Sequence, residues 1–442
     1  MSDCIVIGAG PAGLAAAVAA AEGGAAVTLL EKNDRPGRKL LLTGGGRCNL
    51  FDPAAAPIDA LGAYGREGAF LRDALARFDY AGFLRSLGVE TELDPDDGRH
   101  YVKGGARKML DALLDAVDKA GVRIVPSAKV KTVTRGRGEP ALWNIFLEES
   151  SRAVRAPNYR GDRLILAAGG ITYPTTGSSG DALPWAEALG HRIDPPTPAL
   201  AGLSTTPRFT GLTGNTVADV ALTLVVAGKK SGARRGTVLF THVGLSGPAA
   251  VDLSLDLARA AASSVGGHPR VAPLPVPQQK EGGHIGPPLQ KQEILVDFLP
   301  GASPGELEAH LMKRGRHAAS RALEGFEPAA GIPSRLVLEF ARAAGILSSG
   351  PLDHASDKSL RAFAQALKST RLAVAGLENP AAAVVTLGGV STKDVDPKTM
   401  ESRLAPGLFF AGELLSPAGP CGGFNLLMAF ATGALAGSSA GD

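Results

Sequence analysis

The stretch Cys4-Ile5-Val6-Ile7-Gly8-Ala9-Gly10-Pro11-Ala12-Gly13, with the alanine-rich run Leu14 to Ala21 and then Ala26-Val27-Thr28-Leu29-Leu30-Glu31, decides the fold. Cys4 to Ile7 is a short apolar run suited to a strand buried on both faces. The alanines after Gly13 favour a helix, and Ala26 to Leu30 reads as a second strand. This is GxGxxG in a βαβ setting, with an acidic residue about 20 positions further on. Gly8 allows the tight turn, Gly10 lets backbone approach a pyrophosphate, and Gly13 lets the helix pack closely on the strand. The helix start, which Pro11 and Ala12 open, offers unpaired N–H groups from Ala12 onward and a partial positive charge to phosphates. Glu31 accepts hydrogen bonds from ribose hydroxyls and repels a 2′-phosphate.

Working outward, Pro36 to Asn49 (PGRKLLLTGGGRCN) follows directly, and three consecutive glycines make a backbone that can lie flat against a ligand. An NAD-dependent dehydrogenase has no need of that loop. Arg163 to Gly170 (RLILAAGG) is a further apolar strand ending in small residues. Near the other end, Leu408 to Glu413 (LFFAGE) is a strand ending in Gly-acid, followed by Gly422-Gly423-Phe424-Asn425 and an apolar helical stretch, Leu426 to Gly437. Nucleotide-binding signals at both ends imply one discontinuous domain around an extended cofactor such as FAD.

Composition narrows the alternatives. At about 150 residues per domain, 442 residues suggest roughly three domains. Lys+Arg total 46 and Asp+Glu 43, a net charge of +3, with no basic face or aromatic RNA-reading motif, so a nucleic-acid partner is not expected. The 57 glycines are nearly twice the ordinary share of about 7%, in keeping with many tight turns. Cys4, Cys48 and Cys421 are far apart and form no CxxC pair, which excludes a disulfide scaffold and fits a reducing compartment. Apolar runs such as Leu14 to Ala21 fall far short of the ~18 residues that span a bilayer. The N-terminus lacks the basic region of a signal peptide, so the expected location is the cytoplasm, without membrane association. No metal-ligand cluster is visible.

The chain resembles a bacterial flavoprotein family that includes aminoacetone oxidase and the BaiN-type and YhiN-type proteins, within the glutathione-reductase-like FAD superfamily. Four blocks carry the resemblance: PGRKLLLTGGGRCN, Ala168 to Ser178 (AGGITYPTTGS), Thr241 to Pro248 (THVGLSGP), and Thr386-Leu387-Gly388-Gly389-Val390 through Glu413 to Asn425 (GELLSPAGPCGGFN, from Gly412). The resemblance implies an α/β fold: a Rossmann-like FAD-binding domain with an inserted β-barrel domain and a small helical domain. The boundaries are 1–193 and 380–442 for the FAD domain, 194–302 and 369–379 for the barrel, and 303–368 for the helices. Independently, Pro195 to about Pro300 contains β-rich runs such as Ala221 to Val226, with a strand at Glu293 to Phe298, while Pro304 to Lys368 reads as helices, including Glu306 to Lys313 and Ser359 to Lys368. Residues 266–292, crowded with Pro, Gly and Gln, depart from the family pattern and read as a mobile surface loop.

By analogy with the superfamily, the Gly8 turn holds the pyrophosphate, Glu31 the adenosine ribose, and the backbone near Val130 meets the adenine. Glu413 holds the ribityl chain or, through Gly412, the phosphates. Lys32, Arg38, Lys39, Gly44, Gly45, Gly46, Ala168, Gly169 and Gly170 complete the cofactor set. Arg47, Cys48 and Asn49 border the isoalloxazine, and Gly422, Gly423, Phe424 and Asn425 present a helix N-terminus to its N1/C2=O edge. Arg47 is also open to a loop-orienting role, and Cys48 to that of a small buried residue. Candidate catalytic residues are His242, Tyr173 and Cys421, each with a plain structural alternative. The expected activity is that of an FAD-dependent oxidoreductase exchanging a hydride between flavin and a small organic substrate. Two directions stay open: amine oxidation with O₂, or reduction of an activated alkene driven by NAD(P)H as a transient donor. A non-catalytic FAD-binding or redox-sensing protein is the rival, and a tRNA-modifying flavoprotein is disfavoured by the near-neutral charge.

Overall fold

In the computed structural model, which describes residues 2–95, 97–138, 141–148, 157–264, 292–313, 317–346, 352 and 355–441, the opening stretch builds the centre of a parallel sheet. Its five strands lie in the order Leu408–Phe410, Arg163–Leu166, Asp3–Ile7, Ala26–Leu30, Arg123–Val125. All four pairings are parallel, with Ile5 opposite Leu164 on one side and Thr28 on the other. The strand Asp3–Ile7 is buried from Cys4 onward, as a central parallel strand must be. Burial pushes the Cys4 thiol up to about 12.

The helix Pro11–Glu22 crosses between the first two strands, and the C-terminal helix Phe424–Gly441 lies against it. Their contact is backbone to backbone: a Cβ on Gly433 would stand 2.3 Å from the Ala12 carbonyl oxygen, and one on Gly437 2.2 Å from that of Ala16. The four-residue spacing of Gly433, Gly437 and Gly441 repeats the spacing of Ala12, Ala16 and Ala20, because residues four apart share a helix face. The two chain ends are thereby joined in one core.

The chain divides into two compact units, 1–198 with 381–442 and 199–380. The first also carries two small antiparallel sheets, formed by Asn49–Leu50, His100–Val102 and Thr91–Leu93, and by Val130–Arg135, Trp143–Leu147 and Tyr159–Gly161. The strand Ile193–Ala199 pairs with Val385–Val390. Most of it therefore belongs with the sheet-bearing unit, although the sequence pattern assigned residues from 194 onward to the insert.

The second unit contains a closed six-stranded barrel in the order Leu203–Thr206, Gly244–Ser246, Lys229–Phe240, Thr216–Val226, Gln292–Asp297, Thr370–Leu377. Strand residues alternate in burial, and Leu222, Leu224, Val238, Ile294 and Val296 fill the interior. The helices that follow the barrel lie in the same compact unit. The helices Pro304–Lys313, Ser334–Ala343 and Asp357–Lys368 bury Leu307, Phe340 and Phe363 in the same apolar cluster as the barrel. Two of them are capped as their sequences predict: Ser303 and Glu306 exchange hydrogen bonds, and Ser356 accepts from the Ser359 N–H.

Between the β-rich runs of the insert, Pro248–Ser264 is a 17-residue helix; its buried Ala249, Ala250, Leu253 and Leu257 recur at helical spacing. Of the segment 266–292 read as a mobile loop, residues 266–291 lie outside the described residues. Gln292 is buried and opens a barrel strand.

Candidate functional site

The glycine turn is shaped by what surrounds it. Gly8 has φ +104°, and a Cβ there would strike the Ala167 carbonyl at 2.5 Å. A Cβ on Gly13 would stand 1.8 Å from the Gly8 carbonyl oxygen, so helix and strand can meet only through glycine. Gly10 differs: nothing lies within 4 Å of its Cβ position. It is the N-cap of Pro11–Glu22, with no side-chain cap and no acidic residue in the first turn. Leu14 N–H already returns to the Gly10 carbonyl, whereas the amides of Ala12 and Gly13 have no intrahelical acceptor. A glycine facing open space beside free amides at a positive helix end is what a pyrophosphate requires.

Glu31 is buried. Its Oε2 accepts the Ala9 N–H at 2.9 Å, and its Oε1 accepts the Asn33 N–H at 2.8 Å and Asn33 Nδ2 at 2.6 Å. The carboxylate is fixed under the turn, with a lone pair on Oε2 left for a ribose hydroxyl. Lys32 turns to Ser179 and to Asp181 at 2.6 Å, and Arg38 to Asn33. Both bind protein in this structure. Val130 is buried at the start of a strand, and the nearby Ser127 and Ala128 amides bond the carbonyls of Asn33 and Glu31.

A second cluster joins chain segments far apart in sequence. Lys39 Nζ donates to Thr172 Oγ1 at 2.8 Å and to Glu413 at 2.9 Å (Oε1) and 2.7 Å (Oε2). Glu413 Oε1 also accepts the Thr386 N–H at 2.9 Å. Gly170 must lack a side chain because a Cβ would lie 2.2 Å from Thr386 Oγ1 and 2.9 Å from Glu413 Oε1. The preceding Gly412 packs against Ala12 and is held by Thr432 Oγ1 at 3.0 Å. Glu413 thus stands beside the helix start that faces Gly10. Thr172, Thr386 and Thr432 were not singled out by the sequence; the first two lie inside the quoted family blocks, but their residue type carries no distinguishing signal.

The segment Gly44-Gly45-Gly46 is exposed. Arg47 after it is held by Asp94 and Asp97 and stacks on the Tyr101 ring at 3.6 Å, so it orients the loop. Cys48 is fully buried and its thiol is pushed up to about 11 by burial, against a hydrogen bond from Thr43, so it is no thiolate at neutral pH. Asn49 Oδ1 is buried without a partner. The turn at Cys421 to Gly423 leads into Phe424–Gly441. Asn425 binds back to Gly419 through both side-chain atoms, stiffening the preceding loop, and Tyr64 OH donates to the Phe424 carbonyl at 2.7 Å. Ser416 donates to Glu67.

Of the candidate catalytic residues, Tyr173 is half-buried with φ +54°, its carbonyl bonded by Thr176. Cys421 is half-buried. His242 is exposed at the turn between two barrel strands, where Thr241 Oγ1 accepts the Val243 and Gly244 amides; it belongs to the other unit. Ala168 and Gly169 adjoin the Gly8 turn and Ser178 respectively. Among the described residues there is no group of metal-ligating side chains, and no helix long and apolar enough to cross a membrane.

The open Gly10 cradle, the free helix-start amides, the lone pair left on Glu31 Oε2 and the orphaned Asn49 oxygen fit FAD. Strand order, turn and acidic residues define the class: a Rossmann-fold enzyme of the FAD-dependent oxidoreductases. The chain belongs to the family described as HI0933-like protein Rossmann domain, whose model matches residues 2–439. It is 29% identical to the 3-dehydro-bile acid delta(4,6)-reductase of Clostridium scindens over 449 residues, covering 99% of this chain and 98% of the relative. It is 27% identical to the ribosomal RNA dihydrouridine synthase of Escherichia coli, covering 97% and 96%. A similar solved structure is a 3-ketosteroid-Δ4-(5α)-dehydrogenase from Rhodococcus jostii, at TM-score 0.49 and 17% identity, covering 100% and 97%.

Proposed function

We propose that this chain reduces a carbon–carbon double bond conjugated with a carbonyl in a small organic substrate, with NAD(P)H as the electron donor. The supporting observation is that two relatives matching nearly its whole length carry names describing one bond change on different molecules. The Δ4,6-diene conjugated with a 3-oxo group and the 5,6 double bond of uracil both contain alkenes polarised by a carbonyl. Amine oxidation with O₂ has no such support.

FAD, when bound, supplies hydride transfer, and the protein supplies position and electrostatics. The amides of Ala12 and Gly13 bind the diphosphate, Glu31 the ribose, and Glu413 a hydroxyl beside the helix start. The N-terminus of Phe424–Gly441 stabilises negative charge at the flavin edge by about 0.3 to 2 kcal/mol. Saturation also requires a proton at the α-carbon, and Tyr173 and Cys421, in the same unit as the glycine turn, are the candidate donors. Near-balanced charge favours a small molecule over RNA.

The test is anaerobic. Holoprotein reduced by NADH or NADPH is mixed with a 4-en-3-one steroid or with ribosomal RNA, oxidised holoprotein is mixed with primary amines, and absorbance is followed at about 450 nm. Reoxidation by the enone is expected. Bleaching by amines with no reoxidation by any conjugated alkene overturns the reading, and reoxidation by RNA alone overturns the small-molecule assignment. Because one glycine turn of this kind occurs in a βαβ setting, donor and acceptor are expected to alternate at one flavin face and give parallel double-reciprocal lines. Intersecting lines with a measurable ternary complex would refute this.

A further inference from the structure

The Lys39 ammonium is held by protein oxygens. It donates to Thr172 Oγ1 at 2.8 Å and to the Glu413 carboxylate, whose Oε1 and Oε2 lie at 2.9 and 2.7 Å and share one N–H. Glu413 is saturated unevenly. Oε1 accepts from Lys39, from Thr172 at 3.1 Å and from the Thr386 amide at 2.9 Å, whereas Oε2 accepts from Lys39 alone. Both side chains of the pair are about one-fifth exposed. The carboxylate follows Gly412, whose Cβ position lies 2.6 Å from the Ala12 Cβ at the start of the phosphate-facing helix. A bare carboxylate so close to a diphosphate repels it.

We propose that Lys39 is a positioning residue that acts on the cofactor through Glu413. It neutralises the carboxylate beside the diphosphate and turns it so that Oε2 keeps a free lone pair for a cofactor hydroxyl. The inference rests on the FAD reading and refines it, because the PGRK segment had been given direct cofactor contact.

The test follows FAD loss from purified holoprotein on dilution, read as the rise of free-flavin fluorescence. Lys39→Met is expected to weaken FAD retention about 10- to 100-fold. Adding Glu413→Gln removes the charge that Lys39 neutralises, so Lys39→Met/Glu413→Gln is expected to hold FAD more tightly than Lys39→Met. Lys39→Arg, which keeps charge and donors, is expected to stay near wild type. Thr172→Val, which removes one Lys39 partner without altering charge, is expected to cause a smaller loss and keeps the test open if Lys39→Met folds poorly. A double variant no tighter than Lys39→Met, or a Lys39→Met protein with wild-type retention, overturns the inference while leaving the FAD reading intact. A wild-type protein that carries no FAD and takes up none overturns both.

Discussion

The two units of this chain are held together by opposite means. In the first, the helices Pro11–Glu22 and Phe424–Gly441 touch through alanine and glycine, with space for no added methyl at Gly433 or Gly437. In the second, bulk fills the core: Phe298 stacks on Phe240 at 6.0 Å and tilts against Phe340 at 5.3 Å, tying barrel to helix. The difference teaches that a nucleotide-binding core is specified by what is left out of side chains, and a barrel core by what is put in. The first kind should fail abruptly when anything is added, the second by degrees when something is removed.

Gly433→Val should therefore have the largest effect. A branched side chain starting 2.3 Å from the Ala12 carbonyl has no room, and a cost above about 4 kcal/mol is expected. Soluble yield, circular dichroism and flavin content would check it, and a folded yellow variant would break the contrast. Phe298→Ala should cost about 3 to 5 kcal/mol in chemical denaturation, by lost burial and a residual cavity.

A smaller effect comes from His191, buried in the first unit between the Ala186 carbonyl and Ser402 Oγ. Burial pushes its imidazole below the ordinary value, against the opposing pull of Ala186 and Asp394. The unfolded chain therefore binds the proton first. The contribution is complete above the unfolded value of about 6.5 and is lost as pH falls through the depressed folded value, with a slope of at most about 1.4 kcal/mol per pH unit. His191→Gln should flatten that acid-side slope, and denaturation midpoints between pH 7.5 and 5.5 would show it. An unchanged slope would mean that other groups carry the acid sensitivity.

The smallest effect on stability belongs to Gly10→Val, and it sharpens the comparison most. The site is open and its backbone is extended, with φ −81° and ψ −178°, so a side chain there should cost about 1 kcal/mol or less. FAD retention should nevertheless collapse, because the added side chain stands where the diphosphate lies. Full FAD occupancy in this variant would remove the turn from the site.

Much of the first unit was legible because its chemistry demands particular residues at particular spacings. Gly8, Gly10, Gly13 and Glu31 announce their roles, and Asp3–Ile7, Ala26–Leu30, Arg163–Leu166 and Leu408–Phe410 form one parallel sheet close to where the apolar runs place them. The helix Pro248–Ser264 carries no distinct local signal between β-rich runs, since short apolar runs suit either period. The union of barrel and helices in one core is likewise not legible, since periodicity tells which face is buried and not against what.

The sequence by itself determined the dinucleotide turn, its acidic partner and the discontinuous domain, because local backbone geometry and 3.6- or 2-residue periods are properties of neighbouring residues. Only the tertiary structure decided that Lys39 pairs with Thr172 and Glu413, that Arg47 pairs with Asp94 and Asp97, and that Gly170 is small because Thr386 and Glu413 crowd it. Lys39 and Glu413 are separated by 374 positions, and hydrogen-bond partners at that distance are set by packing, which no local pattern encodes.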